Sequence, residues 1–196
     1  SGCQASLDAF VNTRMAPDAV QMVCFIDHEE IGSRSVQGAD SSLLPQTLRR
    51  IWSQLRPADK DDEWYQAMAR SGLVSVDVAH AQHPNWSDLH DPAYAPRLNQ
   101  GVALKLSVTH RYATQAIGVG RFLDLCQRKG IAVQKYNIRA DLVAGSTIGP
   151  AVSAATGIPT IDVGIPILAM HSIRETAGMS DQCAMVGALS AFLEEY

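Results

Sequence analysis

Residues 27 to 30 read Asp-His-Glu-Glu, four consecutive ionisable side chains that close the apolar run "AVQMVCFID" (19–27) and stand just ahead of Gly32. A carboxylate at the mouth of a buried segment costs several kcal/mol unless it finds a partner. Two adjacent ones suit a divided task. In extended backbone neighbouring side chains point to opposite sides, so one carboxylate can hold a metal while the other addresses the water the metal activates. That free carboxylate takes the proton and hands it to a leaving amine. The residue types alone leave open which of Glu29 and Glu30 does which.

Three further groups recur at the ends of apolar runs. Asp77 lies inside "SVDVA", where an aspartate needs a partner, His80 follows it, and His171 stands in "LAMHSIRE". Two glutamates, an aspartate and a histidine form a donor set for a hard or borderline divalent ion such as zinc or manganese. His80 and His83 have a short H-x-x-H spacing, which by itself is a weak metal signal, and His83 reads as structural. Ser1 has nothing nearby to deprotonate it and makes no N-terminal nucleophile.

The elements that must position these groups alternate. Apolar, Val- and Ile-rich runs at 19–27, 72–81, 101–108, 131–138 and 158–166 read as strands. Helical periodicity predicts helices over 3–11, 41–56, 60–70, 113–129, 149–156 and 177–195. In the first of these, Cys3, Leu7, Phe10 and Val11 form the apolar face, and the helix starts almost at residue 1, as an interior point of a longer domain or a processed end would. The alternation predicts an α/β fold whose largely parallel sheet is covered on both faces. Ligands in such sheets bind beyond the carboxyl ends of the strands. Residues 82–100, with three prolines and two histidines, form a long irregular segment of the kind that is usually functional.

Bulk properties narrow the class. An apolar fraction of 46% with 18% charged residues fits one globular unit in 196 residues. The formal charge of −4 and scattered Lys and Arg leave no basic stripe, so no nucleic-acid partner is expected. No window has the length and apolarity to span a bilayer and residues 1–15 are unlike a signal peptide, so no membrane partner and a cytoplasmic address are expected. Cys3, Cys24, Cys126 and Cys183 are widely spaced and read as reduced core thiols.

Taken in order, "DHEEIGS", "DVAHAQHPN", "RYAT", "GSTIGP" and "MHSIRE" resemble the M18 metallopeptidases, the aspartyl aminopeptidases, from about residue 19 to the end. The resemblance implies a zinc-peptidase-like three-layer α/β sandwich, incomplete at its N-terminal side. Residues 1–196 would be the C-terminal portion of a catalytic domain, without an early segment and an inserted assembly domain. It implies removal of N-terminal Asp or Glu from peptides with two divalent ions, zinc, or alternatively manganese or cobalt. It implies Glu29 as general base, Glu30, Asp77 and His171 as metal ligands, and His80, Lys105 and Tyr112 as substrate contacts. Lys105 would select the acidic side chain, since an ammonium on an apolar stem pairs with a carboxylate.

The resemblance further implies partners: acidic-N-terminus peptides, the N-terminal remainder of the enzyme, and copies of itself in a dodecamer. "AGSTIGP" (144–150) would enter a helix, its N–H groups facing substrate or Ser146 or Thr147 capping the helix. A histidine ligand and a bridging aspartate of the family's early segment have no counterpart here, so the isolated chain is expected to hold at most one metal well and to be nearly inactive. Two other readings stand beside this one: a non-catalytic assembly or binding fragment of the same fold, and a co-catalytic metalloaminopeptidase of different specificity.

Overall fold

The computed structural model describes residues 1–14, 16–58 and 61–195. The chain runs α1 (Gly2–Asn12), α2 (Leu43–Leu55), α3 (Asp61–Arg70), β1 (Leu73–His80), β2 (Val102–Lys105), α4 (Ala116–Arg128), β3 (Val133–Tyr136), α5 (Gly149–Thr156), β4 (Thr160–Leu168), β5 (Thr176–Ala177) and α6 (Met179–Glu195). A single 3-10 turn at Ser87–Leu89 is the only regular structure described within the irregular 82–100 segment. Lys60, the first residue of the predicted 60–70 helix, lies outside the described residues. No helix among the described residues is long and apolar enough to cross a membrane.

The sheet has the order β1-β4-β2-β3, with β5 on β4. β1 and β4 run parallel, as do β2 and β3, while β2 meets β4 antiparallel, so the sheet is mixed. Strand alternation then sorts the residues onto two faces. On one face Val74, Val76, Val102, Leu104, Ile161, Val163 and Ile165 join Phe122 and Cys126 of α4, Ala5 and Ala9 of α1, and Met185, Ala188 and Leu189 of α6 in one core. Burying each such aliphatic side chain contributes about 1.5–3 kcal/mol, and this face carries most of the stability. The opposite face of the same strands presents Ser75, Asp77, Ala79, Ala103, Lys105 and Asp162, and α5 packs on it with Gly149 against the Asp162 carboxylate. Helices therefore cover both sides of the sheet.

α5 has Pro150 in its first turn and ends at Gly157, whose φ of 73° closes the helix with an N–H bond to the Ser153 carbonyl. α2 and α3 form a hairpin pinned by Trp52 edge-on to Trp64 at 6.1 Å and by Arg49, which lies over Trp64 and reaches Asp61.

Three expectations are corrected. Residues 19–26 are not a strand: they make no ladder among the described residues and are tied instead by Gln21, whose side-chain amide donates to the Leu193 and Arg14 carbonyls. Apolar β-branched composition produces a strand only where a neighbour supplies the ladder. In α1 the buried positions are Ala5 and Ala9, and Leu7, Phe10 and Val11 are exposed. Small residues let α1 approach closely, and Gly2 sits against Val76. Of the cysteines only Cys126 is buried, because Cys3 and Cys183 sit on exposed surfaces of α1 and α6 and Cys24 lies in the unladdered segment.

Candidate active site

Residues 27–40 form a sequence of tight turns. The His28 N–H is held by its neighbour Asp27, the Gly32 N–H donates to the Glu29 carbonyl and the Ser33 N–H to the His28 carbonyl. Glu29 and Glu30 thus sit in a turn and not in extended backbone, a correction to the geometry expected for them. Their side chains still take different neighbours. Glu30 reaches His171 Nε2 at 3.1 Å across 141 residues of sequence. Glu29 is half-buried within electrostatic range of Asp77, Glu30, Lys105 and His171.

His171 rides the loop between β4 and β5, in left-handed backbone with φ 65°. Such a conformation costs a non-glycine residue about 1–3 kcal/mol. The pair with Glu30 is solvent-exposed on both sides, 66% and 71%. An exposed pair contributes about 0–1 kcal/mol, so it does not hold the loop in that shape. The loop is held by its own bonds, from the His171 N–H to Glu175 and from the Ser172 N–H to the Ala169 carbonyl, and by the β4–β5 ladder.

The second half of the site is built on the sheet. Asp77 of β1 is level with Gly164 of β4, and Gly164 with Ala103 of β2. A Cβ at Gly164 would lie 2.4 Å from the Asp77 carbonyl oxygen, so no side chain fits there. Over that bare stretch of β4 Lys105, two residues beyond Ala103 on the same face, places Nζ 2.9 Å from Asp77 Oδ2. The Lys105 side chain is 3% exposed, and its ammonium also lies 5.4 Å from the centroid of the Tyr112 ring. Because β2 opposes β1 and β4, Lys105 enters from the direction opposite to His80 and the His171 loop. The site is therefore not a simple crevice beyond parallel strand ends.

His80 closes β1 beside this cluster and is exposed at the strand end. Burial, and then the nearby His90, Lys105 and His171, keep its imidazole below the ordinary histidine range and so mostly neutral near pH 7. His83 accepts the Asn85 N–H, in keeping with a structural part. Tyr112 is buried, and burial with its hydrogen-bonded neighbour Tyr136 pushes its phenol well above the usual range, so it stays protonated. Glu29 is raised by burial first and then by Asp77 and Glu30, with Lys105 and His171 opposing. That environment favours Glu29 accepting a proton.

The structure thus makes two pairs, Glu30 with His171 and Asp77 with Lys105, and sets Glu29 in the field of both. No group of three or more His, Cys, Asp or Glu side chains placed to share a metal ion occurs among the described residues. Glu30 and His171 have the donor chemistry that zinc takes and fit two positions of a coordination shell. An open cleft of about 480 Å³ lies beside them, walled by the 29–34 turns on one side and by Ser146, Thr147 and α5 on the other.

Neither Ser146 nor Thr147 caps α5, against one of the two expectations for that loop. The Ser146 hydroxyl instead donates to the Arg111 carbonyl at 3.3 Å, and the Thr147 hydroxyl donates to Asp162 at 2.7 Å. Asp162 and Tyr136 escaped the sequence reading. The signal for Asp162 was the one that exposed Asp77, an aspartate inside the apolar run "TIDVG". Nothing local in the sequence marks Tyr136.

Comparison with known proteins identifies the family. Residues 1–193 match the family model described as Aminopeptidase I zinc metalloprotease (M18). The chain belongs to the M18 metallopeptidase family. It is 42% identical over 192 residues to a probable M18 family aminopeptidase 2 of Stutzerimonas stutzeri, which covers 98% of this chain and 42% of that protein. The crystal structure of an M18 aminopeptidase from Thermotoga maritima superposes with a TM-score of 0.88 at 26% identity, over 99% of this chain and 44% of that one. The S. cerevisiae mApe1 dodecamer matches with a TM-score of 0.74 at 34% identity, over 85% of this chain and 36% of that one. The chain spans well under half the length of these relatives. The family is one of metal-dependent aminopeptidases, and the fold agrees with the expected α/β architecture.

Proposed function

We propose that this chain supplies the base, part of the metal shell and the selectivity pocket of an aminopeptidase that removes N-terminal Asp or Glu from peptides. One observation carries the reading: Glu30 and His171, from opposite ends of the sequence, meet at 3.1 Å, and Glu29 lies in the field of this pair and of the Asp77–Lys105 pair, its pKa raised on balance with burial. An exposed pair held in strained backbone has little structural use, whereas a metal gives both residues one.

Glu30 and His171, with Asp77 nearby, are the residues that would hold zinc, and a second ion is part of the same proposal. When bound, the metal supplies Lewis acidity toward the scissile carbonyl and lowers the pKa of water. The chain's own residues do the rest. Glu29 takes a proton from the attacking water and delivers it to the departing amine. Lys105 has three ammonium protons, of which Asp77 takes one, and in this reading another meets a substrate carboxylate. The whole side chain is buried, which restricts the ammonium to one place. In this reading the protonated Tyr112 turns its hydroxyl from Tyr136 to the developing oxyanion or the substrate backbone, with neutral His80 beside it.

The relatives extend well beyond the segment they share with this chain, which supports reading residues 1–196 as the C-terminal portion of a catalytic domain whose site an N-terminal remainder completes. The dodecameric state of the S. cerevisiae relative supports assembly of this protein with copies of itself. We place the assembly in the cytoplasm. The test is hydrolysis of Asp-anilide and Leu-anilide by the natural protein with zinc and after chelation. The reading requires metal-dependent turnover that favours Asp. Preference for Leu would turn it to an aminopeptidase of another specificity, and no turnover by a zinc-loaded oligomer would turn it to an assembly fragment.

A further inference from the structure

Asp162 sits in the middle of β4 with 0% exposure, and its partners are neutral donors. Its Oδ2 accepts the Ala113 N–H at 2.5 Å and its Oδ1 accepts the Thr147 hydroxyl at 2.7 Å, while its own N–H donates to Thr114 Oγ1 at 2.8 Å. A fully buried carboxylate is an expensive way to satisfy donors that a neutral acceptor would serve. The location of those donors supplies a reason. Ala113 follows Tyr112, whose ring lies against the Lys105 ammonium. Thr147 is in the cleft wall opposite Glu29 and Glu30. The carboxylate thus bridges two loops separated by more than thirty residues of sequence, each carrying part of the site.

Two further contacts tighten the bridge. Ser146 donates to the carbonyl of Arg111, the residue before Tyr112. Gly149 brings the start of α5 so close that a Cβ there would stand 2.4 Å from Asp162 Oδ2. No other residue type fits at 149 without displacing the carboxylate.

We propose that Asp162 is a positioning residue: through the Ala113 amide and the Thr147 hydroxyl its carboxylate locks Tyr112 and the Ser146–Thr147 wall into one arrangement on which turnover depends. Asp162 touches no reacting atom and acts through Tyr112 and the wall. This rests on the aminopeptidase reading of the site. The lock serves the transition state, where Tyr112 meets the oxyanion, more than ground-state binding, which Lys105 provides.

The experiment compares Thr147→Val, Thr147→Ser, Asp162→Asn and Asp162→Ala in the natural zinc-loaded protein with an Asp-anilide, recording kcat, KM, metal content and Tm. Thr147→Val removes one arm of the bridge with little change in volume and lowers kcat roughly tenfold, short of the hundred- to thousandfold loss of an oxyanion donor itself, with KM within about twofold. Thr147→Ser restores the hydroxyl and brings kcat back to within about twofold of the parent. Asp162→Asn, whose oxygen can take the Ala113 N–H while its amide donates to Thr147, stays above Asp162→Ala by tenfold or more where both fold. If Asp162→Ala does not fold, the Thr147 pair decides. Parental kcat in Thr147→Val, equal losses in Thr147→Val and Thr147→Ser, or a loss confined to KM each overturn the proposal. A parent protein without Asp-anilide turnover sinks the aminopeptidase reading and the lock with it, whereas an active parent with an indifferent Thr147→Val sinks the lock alone.

Discussion

Replacing Lys105 by Met keeps most of the buried stem and removes the ammonium. In the parent that ammonium is 2.9 Å from Asp77 Oδ2, and its side chain is 3% exposed, so a substrate carboxylate reaching it would form a charge-assisted bond shielded from water. Such bonds contribute about 1.5–3 kcal/mol. Lys105 already shares its charge with Asp77, which puts the expected value in the lower half of that range, about 1.5–2 kcal/mol, or roughly ten- to thirtyfold in kcat/KM. The loss falls on Asp-anilide, while Leu-anilide, which offers no carboxylate, changes by less than about threefold.

A second consequence of the same substitution separates selection from damage. Lys105 lowers the pKa of Glu29, and Asp77 raises it. Without the ammonium the lowering influence of Lys105 is gone, so the Glu29 pKa rises further. Glu29 must be ionised to act as base, so activity is lost as pH falls through its pKa. The acid limb of kcat/KM therefore moves to higher pH in Lys105→Met, for both substrates. Steady-state kinetics from pH 5 to 9 with the two anilides read both effects. Equal losses on Asp and Leu substrates, with an unmoved acid limb, would refute the assignment of Lys105 to selection and the placing of Glu29 in its field.

The other substitutions are simpler. Glu29→Gln removes the proton acceptor without touching the Glu30–His171 pair, so kcat falls by at least about a hundredfold while zinc content by mass spectrometry stays within error; surviving turnover would unseat Glu29 as base. His171→Ala takes away one of the two meeting donors, and zinc content and activity should fall together in equilibrium dialysis, whereas full zinc retention would show that His171 is no ligand. Asp181→Ala strips the acceptor from the Asn99 and Gly101 N–H groups, bonded at 2.6 and 2.7 Å by a carboxylate with 0% exposure. At about 1–3 kcal/mol for each stranded donor, urea denaturation should show a loss of about 2–6 kcal/mol, and a loss below about 1 would mean that water takes the place of the carboxylate.

Residues with local periodicity were the legible ones. The helices at 43–55, 116–128 and 179–195, and the strands at 73–80 and 160–168, fall within a few residues of where spacing puts them. All of these but the 43–55 helix, which has no buried residue, put a face into the core beneath the sheet. The misplaced segment, 19–26, has strand composition but no ladder, and composition carries no information about whether a neighbour is present. α1 misled for a related reason. Periodicity ranked Leu7 and Phe10 above Ala5 and Ala9 as buried residues, yet close approach to α6 and β1 rewards the smaller side chains.

The site shows the same division between local and non-local information. Glu29, Glu30, Asp77 and His171 were visible because charged groups in or beside apolar runs need a reason to be there. Their pairing was not visible, because it depends on which strands are neighbours and in what register. The β2–β4 contact puts Ala103 level with Gly164 and brings Lys105 toward Asp162 on the same face. Lys105 nevertheless turns over bare Gly164 to Asp77 of β1, while Asp162 takes the Ala113 N–H and the Thr147 hydroxyl. That choice rests on an absent side chain in the strand between β1 and β2, which no local pattern in either of them records.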